Sequence, residues 1–117
     1  GNYHFSDLEK DVNNQAELED LVEQILNDQP ETKILRLQLK GELAREEFKT
    51  KDQILRKLRD SCFYTKIDQS NLEMKIDREI MREEFSENSF PYQLLTELED
   101  DNQALHLAYK MLKEVQE

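Results

Sequence analysis

Few side chains in this chain are of the kinds that do chemistry, and their spacing assembles no catalytic site. His4 and His106 stand at opposite ends, and Cys62 is the lone cysteine. Two distant histidines and one thiol cannot supply the four ligands of a usual zinc site. The D-x-H and G-N-H-[DE] runs that bind metals in phosphoesterases do not occur. Gly1 and Gly41 form neither a GxGxxG turn nor a Walker loop. The acidic pairs Glu46-Glu47, Glu83-Glu84 and Asp100-Asp101 are expected on solvated faces of a chain with 27 acidic residues. None of them is assigned to acid–base work. Cys62 reads as a small buried thiol closing a helix. Without a partner it forms no internal disulfide, which fits a reducing cytoplasm. His4 and His106 read as a strand residue and an exposed surface residue.

The charge balance narrows the partners. The net charge of −11 is spread unevenly along the 117 residues. Residues 1–32 carry −8, residues 33–82 carry +4, and residues 83–117 carry −7. An acidic surface repels nucleic-acid phosphates. Only the middle block could face a phosphate backbone, and Arg36, Lys40 and Arg45 are its candidates. No run approaches the roughly 20 apolar residues of a membrane span. Gly1 in place of Met points to a fragment of a longer protein.

These residues must be positioned by a small α+β fold. In Thr32–Leu43, Leu35, Leu37, Leu39 and Leu43 recur with period two, while Arg36, Gln38 and Lys40 alternate with them. That predicts a strand with one face on a core, central under flanking helices. Ahead of it, Tyr3 and Phe5 share one parity and Leu8 and Val12 the other. An irregularity near Ser6-Asp7 would bring both pairs inward. Asn14 and Glu17 predict a capping box for a helix carrying Leu18, Leu21, Val22, Ile25 and Leu26. Pro30 ends the intervening segment. Gly41 marks a bulge or a close backbone approach.

Thr50 and Gln53 predict a second cap, for a helix carrying Ile54, Leu55, Leu58 and Cys62; Ala44–Lys49 connects, with Phe48 as an apolar plug. Residues 63–76 read as a hairpin or one kinked strand, broken at Asp68–Asn71, with the kinked strand favoured. The expected architecture is therefore a three-stranded sheet in β-α-β-α-β order with helices on one face, over residues 1–77. A helical extension, residues 78–117, follows. In it Asp77 and Ser89 cap helices, Pro91 lies in a first turn, and Asp100–Asn102 separates the last two. Leu94, Leu95, Leu98, Leu105, Met111 and Leu112 either close the domain's own core or dock a partner helix. A homodimer through these C-terminal helices is a third assembly that the pattern allows.

Several runs resemble the C-terminal part of bacterial DNA-repair exonucleases of the SbcD type, within the calcineurin-like metallophosphoesterases. They are FSDLEKDV (Phe5–Val12) with the helix after it, ILRLQLKGEL (Ile34–Leu43), NLEMKID (Asn71–Asp77) and ENSFPYQLL (Glu87–Leu95). Within that family the chain looks most like the YhaO-type enzymes. The resemblance implies a capping domain and helices that follow a nuclease domain absent from this sequence. That absent domain would hold two divalent metals, usually manganese, and this chain would hold no ligand. It also implies coupling to an SbcC-like SMC-type ATPase, and DNA contact only through the full-length protein. The competing expectation is a stand-alone acidic adaptor that binds a partner protein.

Overall fold

The computed structural model describes residues 2–116. Strands β1 (His4–Asp11), β2 (Lys33–Leu43) and β3 (Tyr64–Met74) form one parallel sheet in the order β1-β2-β3. Parallel neighbours need a crossover. Helices α1 (Gln15–Leu26) and α2 (Arg45–Ser61) supply the two crossovers. The expected architecture is the observed one, with the leucine-rich strand in the middle. Leu35, Leu37, Leu39 and Leu43 are all buried, under Leu18, Leu21, Val22 and Ile25 of α1 and Ile54, Leu55 and Leu58 of α2. Burying each such side chain contributes roughly 1.5–3 kcal/mol. The inward side of β2 is thus the keel of the unit.

Local chemistry sets the ends of these elements. The Asn14 Oδ1 accepts from the Glu17 N–H at 2.8 Å, while the Glu17 carboxylate accepts from Asn13 N–H at 2.7 Å. The reciprocal bond thus reaches one residue further back than a capping box would place it. Lys33 is buried, and its Nζ donates to the Ile25 carbonyl and to Asp28, both at 3.2 Å. The ammonium thereby satisfies a carbonyl at the negative end of α1. Gly41 has φ +128°, and a Cβ there would meet the Val12 carbonyl oxygen at 2.0 Å. The Val12 N–H donates to Lys40 O at 2.8 Å at the same crossing. Close backbone approach explains this glycine.

Two expectations are corrected. First, β1 pairs with β2 in unbroken register, from His4 opposite Lys33 to Asp11 opposite Lys40. No irregularity forms at Ser6-Asp7, so Leu8 and Val12 turn to the core while Tyr3 and Phe5 stay exposed. Bulges are rare in parallel pairs, and period two then forces the split. Second, α2 starts at Arg45 rather than after Thr50. Glu47 caps it, accepting from the Ala44 N–H at 3.2 Å, and Thr50 donates instead to the Glu47 carbonyl at 3.2 Å. Phe48 still packs against the core, as a residue of the helix and not of a connector. Of the two forms expected for residues 63–76, the kinked strand that the pattern favoured is the one found: Tyr64–Met74 is the single strand β3. Its register against β2 shifts between Gln38 and Lys40, where the sequence shows the DQSN break.

The chain divides into two compact units, Gly1–Lys75 and Ile76–Glu117. The second contains α3 (Arg78–Glu84), α4 (Phe90–Glu97) and α5 (Asn102–Gln116). Ile76, Met81, Phe85, Tyr92, Leu95 and Leu105 form its core, and Tyr109 meets Phe85 edge to face at 6.4 Å. Asp77, Ser89 and Asp101 accept from the N–H groups of Ile80, Tyr92 and Ala104 at the helix starts. Arg78 grips Glu99 through two nitrogens, at 2.7 and 3.1 Å, and Lys113 pairs with Glu84.

Candidate interaction surfaces

The chemically capable side chains stay apart in three dimensions. His4 is half-buried, with Nδ1 3.3 Å from Thr32 Oγ1, and its Nε2 lacks a hydrogen-bond partner. Cys62 ends α2 inside the core, where burial pushes its thiol up against the pull of nearby Lys33. Such a thiol is inert, because the thiolate is the reactive form. His106 is buried rather than exposed, with Nδ1 2.9 Å from the Asn102 carbonyl oxygen. Its position flanks the apolar stripe of α5, and that neighbourhood removes it from water. Among the described residues no group of three or more His, Cys, Asp or Glu side chains is arranged to hold a metal ion. None of the described helices is long and apolar enough to cross a membrane.

The three candidate phosphate contacts each have an acidic neighbour. Arg36 lies 3.4 Å from Asp7, Lys40 lies 3.7 Å from Glu9, and Arg45 lies 4.0 Å from Glu46. Arg36 and Lys40 project from the sheet face that α1 and α2 leave open, whereas Arg45 opens α2. They form no shared basic row. A groove of about 320 Å³ separates α1 from α2. Its floor is Val22, Leu26 and Ile54, and Glu19, Glu23 and Lys57 stand on its rim. No nucleophile or pair of convergent carboxylates with a base lies there, so the groove offers shape without chemistry.

The helical unit gives its candidate stripe two destinies. Leu95 and Leu105 are core residues, with Leu98 and Leu112 packed against them. Leu94 is half-buried, and Met111 points to solvent. The outward row of α5 is Leu107, Met111 and Val115, all strongly exposed and spaced by four residues. Residues four apart stack on one side of a helix. Periodicity alone groups Met111 with the inward residues and leaves out Leu107. At 100° per residue Met111 lies at the edge of the arc that Leu105, Ala108 and Leu112 occupy, and only the packing shows that the core stops short of it.

A second apolar surface lies on the open face of the sheet. Phe5, Ile34 and Tyr64 are directly opposite one another across the three strands. Phe5 and Tyr64 are exposed, and the Tyr3 and Phe63 rings pack with centroids 4.4 Å apart and planes tilted by 42°. Sequence reading sent Phe5 and Tyr3 inward and so missed this row. No family model, curated protein or solved structure matched the chain.

Proposed function

We propose that this chain is the non-catalytic accessory region of a metal-dependent DNA exonuclease of the SbcD type, working in the cytoplasm in double-strand-break repair. The sheet unit would shape the approach of DNA to an active site elsewhere in the parent protein. The helical unit would couple that enzyme to the coiled coil of an SbcC-like ATPase. The observation that carries this reading is the exposed Leu107–Met111–Val115 row on α5, an apolar edge suited to a helical groove. The order of the units, a parallel α/β layer and then helices, is also the order that the resemblance implies. The two divalent metals, usually manganese, would be held by the parent's nuclease domain.

The test compares this 117-residue chain with a parent protein that bears D-x-H and G-N-H motifs upstream. Manganese-dependent exonuclease activity is expected of the parent and not of the chain alone. Activity in the chain alone would overturn the assignment of its surfaces as non-catalytic. An intact, metal-loaded parent without activity would favour the second reading, an acidic protein-binding adaptor. One observation favours that alternative specifically: Arg36 and Lys40 are paired to Asp7 and Glu9, which leaves the sheet poorly equipped to grip phosphates.

A further inference from the structure

Helix α1 carries Glu17, Glu19, Asp20 and Glu23, and no Lys or Arg from Gln15 to Leu26. Glu17 has a structural use, since it lies in the first turn and accepts from the Asn13 N–H. Glu19, Asp20 and Glu23 lie beyond that turn. Glu23 stands in the last one, where a carboxylate opposes the helix dipole. It also has like-charge neighbours four and three residues back, Glu19 and Asp20, which weakens a helix. Elsewhere in the sheet unit Asp7, Glu9, Asp28, Glu46 and Asp52 each stand beside a cation. Among the described residues none of the α1 carboxylates is in an ion pair. A helix that breaks local rules without relief from its own chain is arranged for something outside it.

Beside these carboxylates runs the groove between α1 and α2, about 320 Å³, floored by Val22, Leu26 and Ile54. Glu19 and Glu23 form one bank, about one helical turn apart, and Lys57 stands on the other. An apolar strip with carboxylates at helical spacing along one side is complementary to an amphipathic helix with cations along one edge. We propose that the α1–α2 groove docks such a basic amphipathic helix, from a partner protein. Its apolar residues lie on Val22, Leu26 and Ile54, and its lysines or arginines, one turn apart, meet Glu19 and Glu23. Lys57 repels cations on the far bank and so selects which edge of the helix faces α1. The partner relieves the repulsion between Glu19 and Glu23 that the free chain bears. This surface belongs to the sheet unit and stands whether or not the α5 row docks a partner.

The experiment titrates the 117-residue chain into a labelled synthetic helix of leucine, alanine and lysine, with its lysines along one edge, and reads fluorescence anisotropy. Wild-type protein is expected to bind it, and not to bind a counterpart with glutamate in place of lysine. Glu19→Gln combined with Glu23→Gln should weaken binding roughly five-fold or more, the scale of two screened charge contacts. Glu79→Gln combined with Glu97→Gln removes equal charge from exposed positions of α3 and α4. That pair should change the affinity by less than about two-fold, since charges out of contact act only through screening solvent. Leu26→Gln, at the half-buried floor, should weaken binding about as much as the Glu19 and Glu23 pair. Amide shifts on binding should fall on α1 and α2. No binding of the lysine helix would overturn the proposal. So would equal losses in the two glutamate pairs, which would reduce the effect to general acidity, or shifts centred on α5.

Discussion

The two units solve the same problem with different means. In Gly1–Lys75 a central strand places four leucines under two helices, and the backbone bonds of a parallel sheet lock their positions. In Ile76–Glu117 three short helices share a smaller core and depend on side-chain caps and ion pairs at their ends. A helix of seven or eight residues, such as α3 or α4, is too short to persist on its own. The comparison teaches where each unit is vulnerable: the first to loss of volume, the second to loss of any one anchor.

The largest expected effect is in the sheet unit. Leu37 is fully buried at the middle of β2, so Leu37→Ala should cost about 4–5 kcal/mol, near the upper end for such truncations. Chemical denaturation read at a strand-specific signal measures it, and a loss under about 1 kcal/mol would deny β2 its central role. Leu95→Ala should cost less, about 2–3 kcal/mol, because a small helical core can close over the void. Amide exchange should speed up in α3, α4 and α5 while β1, β2 and β3 keep their protection. Equal acceleration in both units would dissolve the contrast between them.

Gly41→Ala comes next. Its φ of +128° and the Val12 carbonyl at 2.0 Å leave a Cβ no room, so more than about 1 kcal/mol should be lost. Protection should fall first where β1 leaves β2. Asn14→Ala removes one cap from α1 and should cost about 1 kcal/mol, with Asn14→Asp nearly neutral. A thermal melt of the three proteins side by side ranks them.

The smallest effect is electrostatic. Arg78 holds the Glu99 carboxyl below the usual carboxylate range, mainly through their hydrogen bonds. A depressed folded pKa means a contribution that is present above the ordinary glutamate range and lost as pH falls through the lowered value. Titrating the helical unit of wild type and Arg78→Ala by NMR should move the Glu99 midpoint upward in the variant. Both partners are solvent-accessible, so salt should shrink the difference. An unmoved midpoint would remove the pair from the account of the second unit.

How far the sequence shows this division depends on the residue. The period-two leucines of β2 and the i, i+3, i+4 residues of α1 and α2 identify their elements directly, because each pattern fits one geometry. Phe5 does not identify its side. The strand could have kinked to bury it, and only the unbroken pairing with Lys33–Lys40 decides against that. Thr50 has the look of a cap, yet Glu47 reaches the Ala44 N–H first and starts the helix six residues earlier. Lys33 gives no warning of its burial, since its partner carbonyl at Ile25 belongs to the preceding helix. The outward row on α5 is hidden for a related reason: a helix that is apolar over a wide arc does not say which part of the arc is covered.

The central claim is that the chain works by docking, through the outward row of α5. Its most direct test is the affinity of the 117-residue chain for the coiled coil of an SbcC-like ATPase, with and without Leu107→Glu and Met111→Glu. The account predicts binding by the wild-type chain and a loss of at least about ten-fold in the double variant, the equivalent of 1.4 kcal/mol. Binding that is indifferent to both substitutions, or no binding by the wild-type chain, would contradict it.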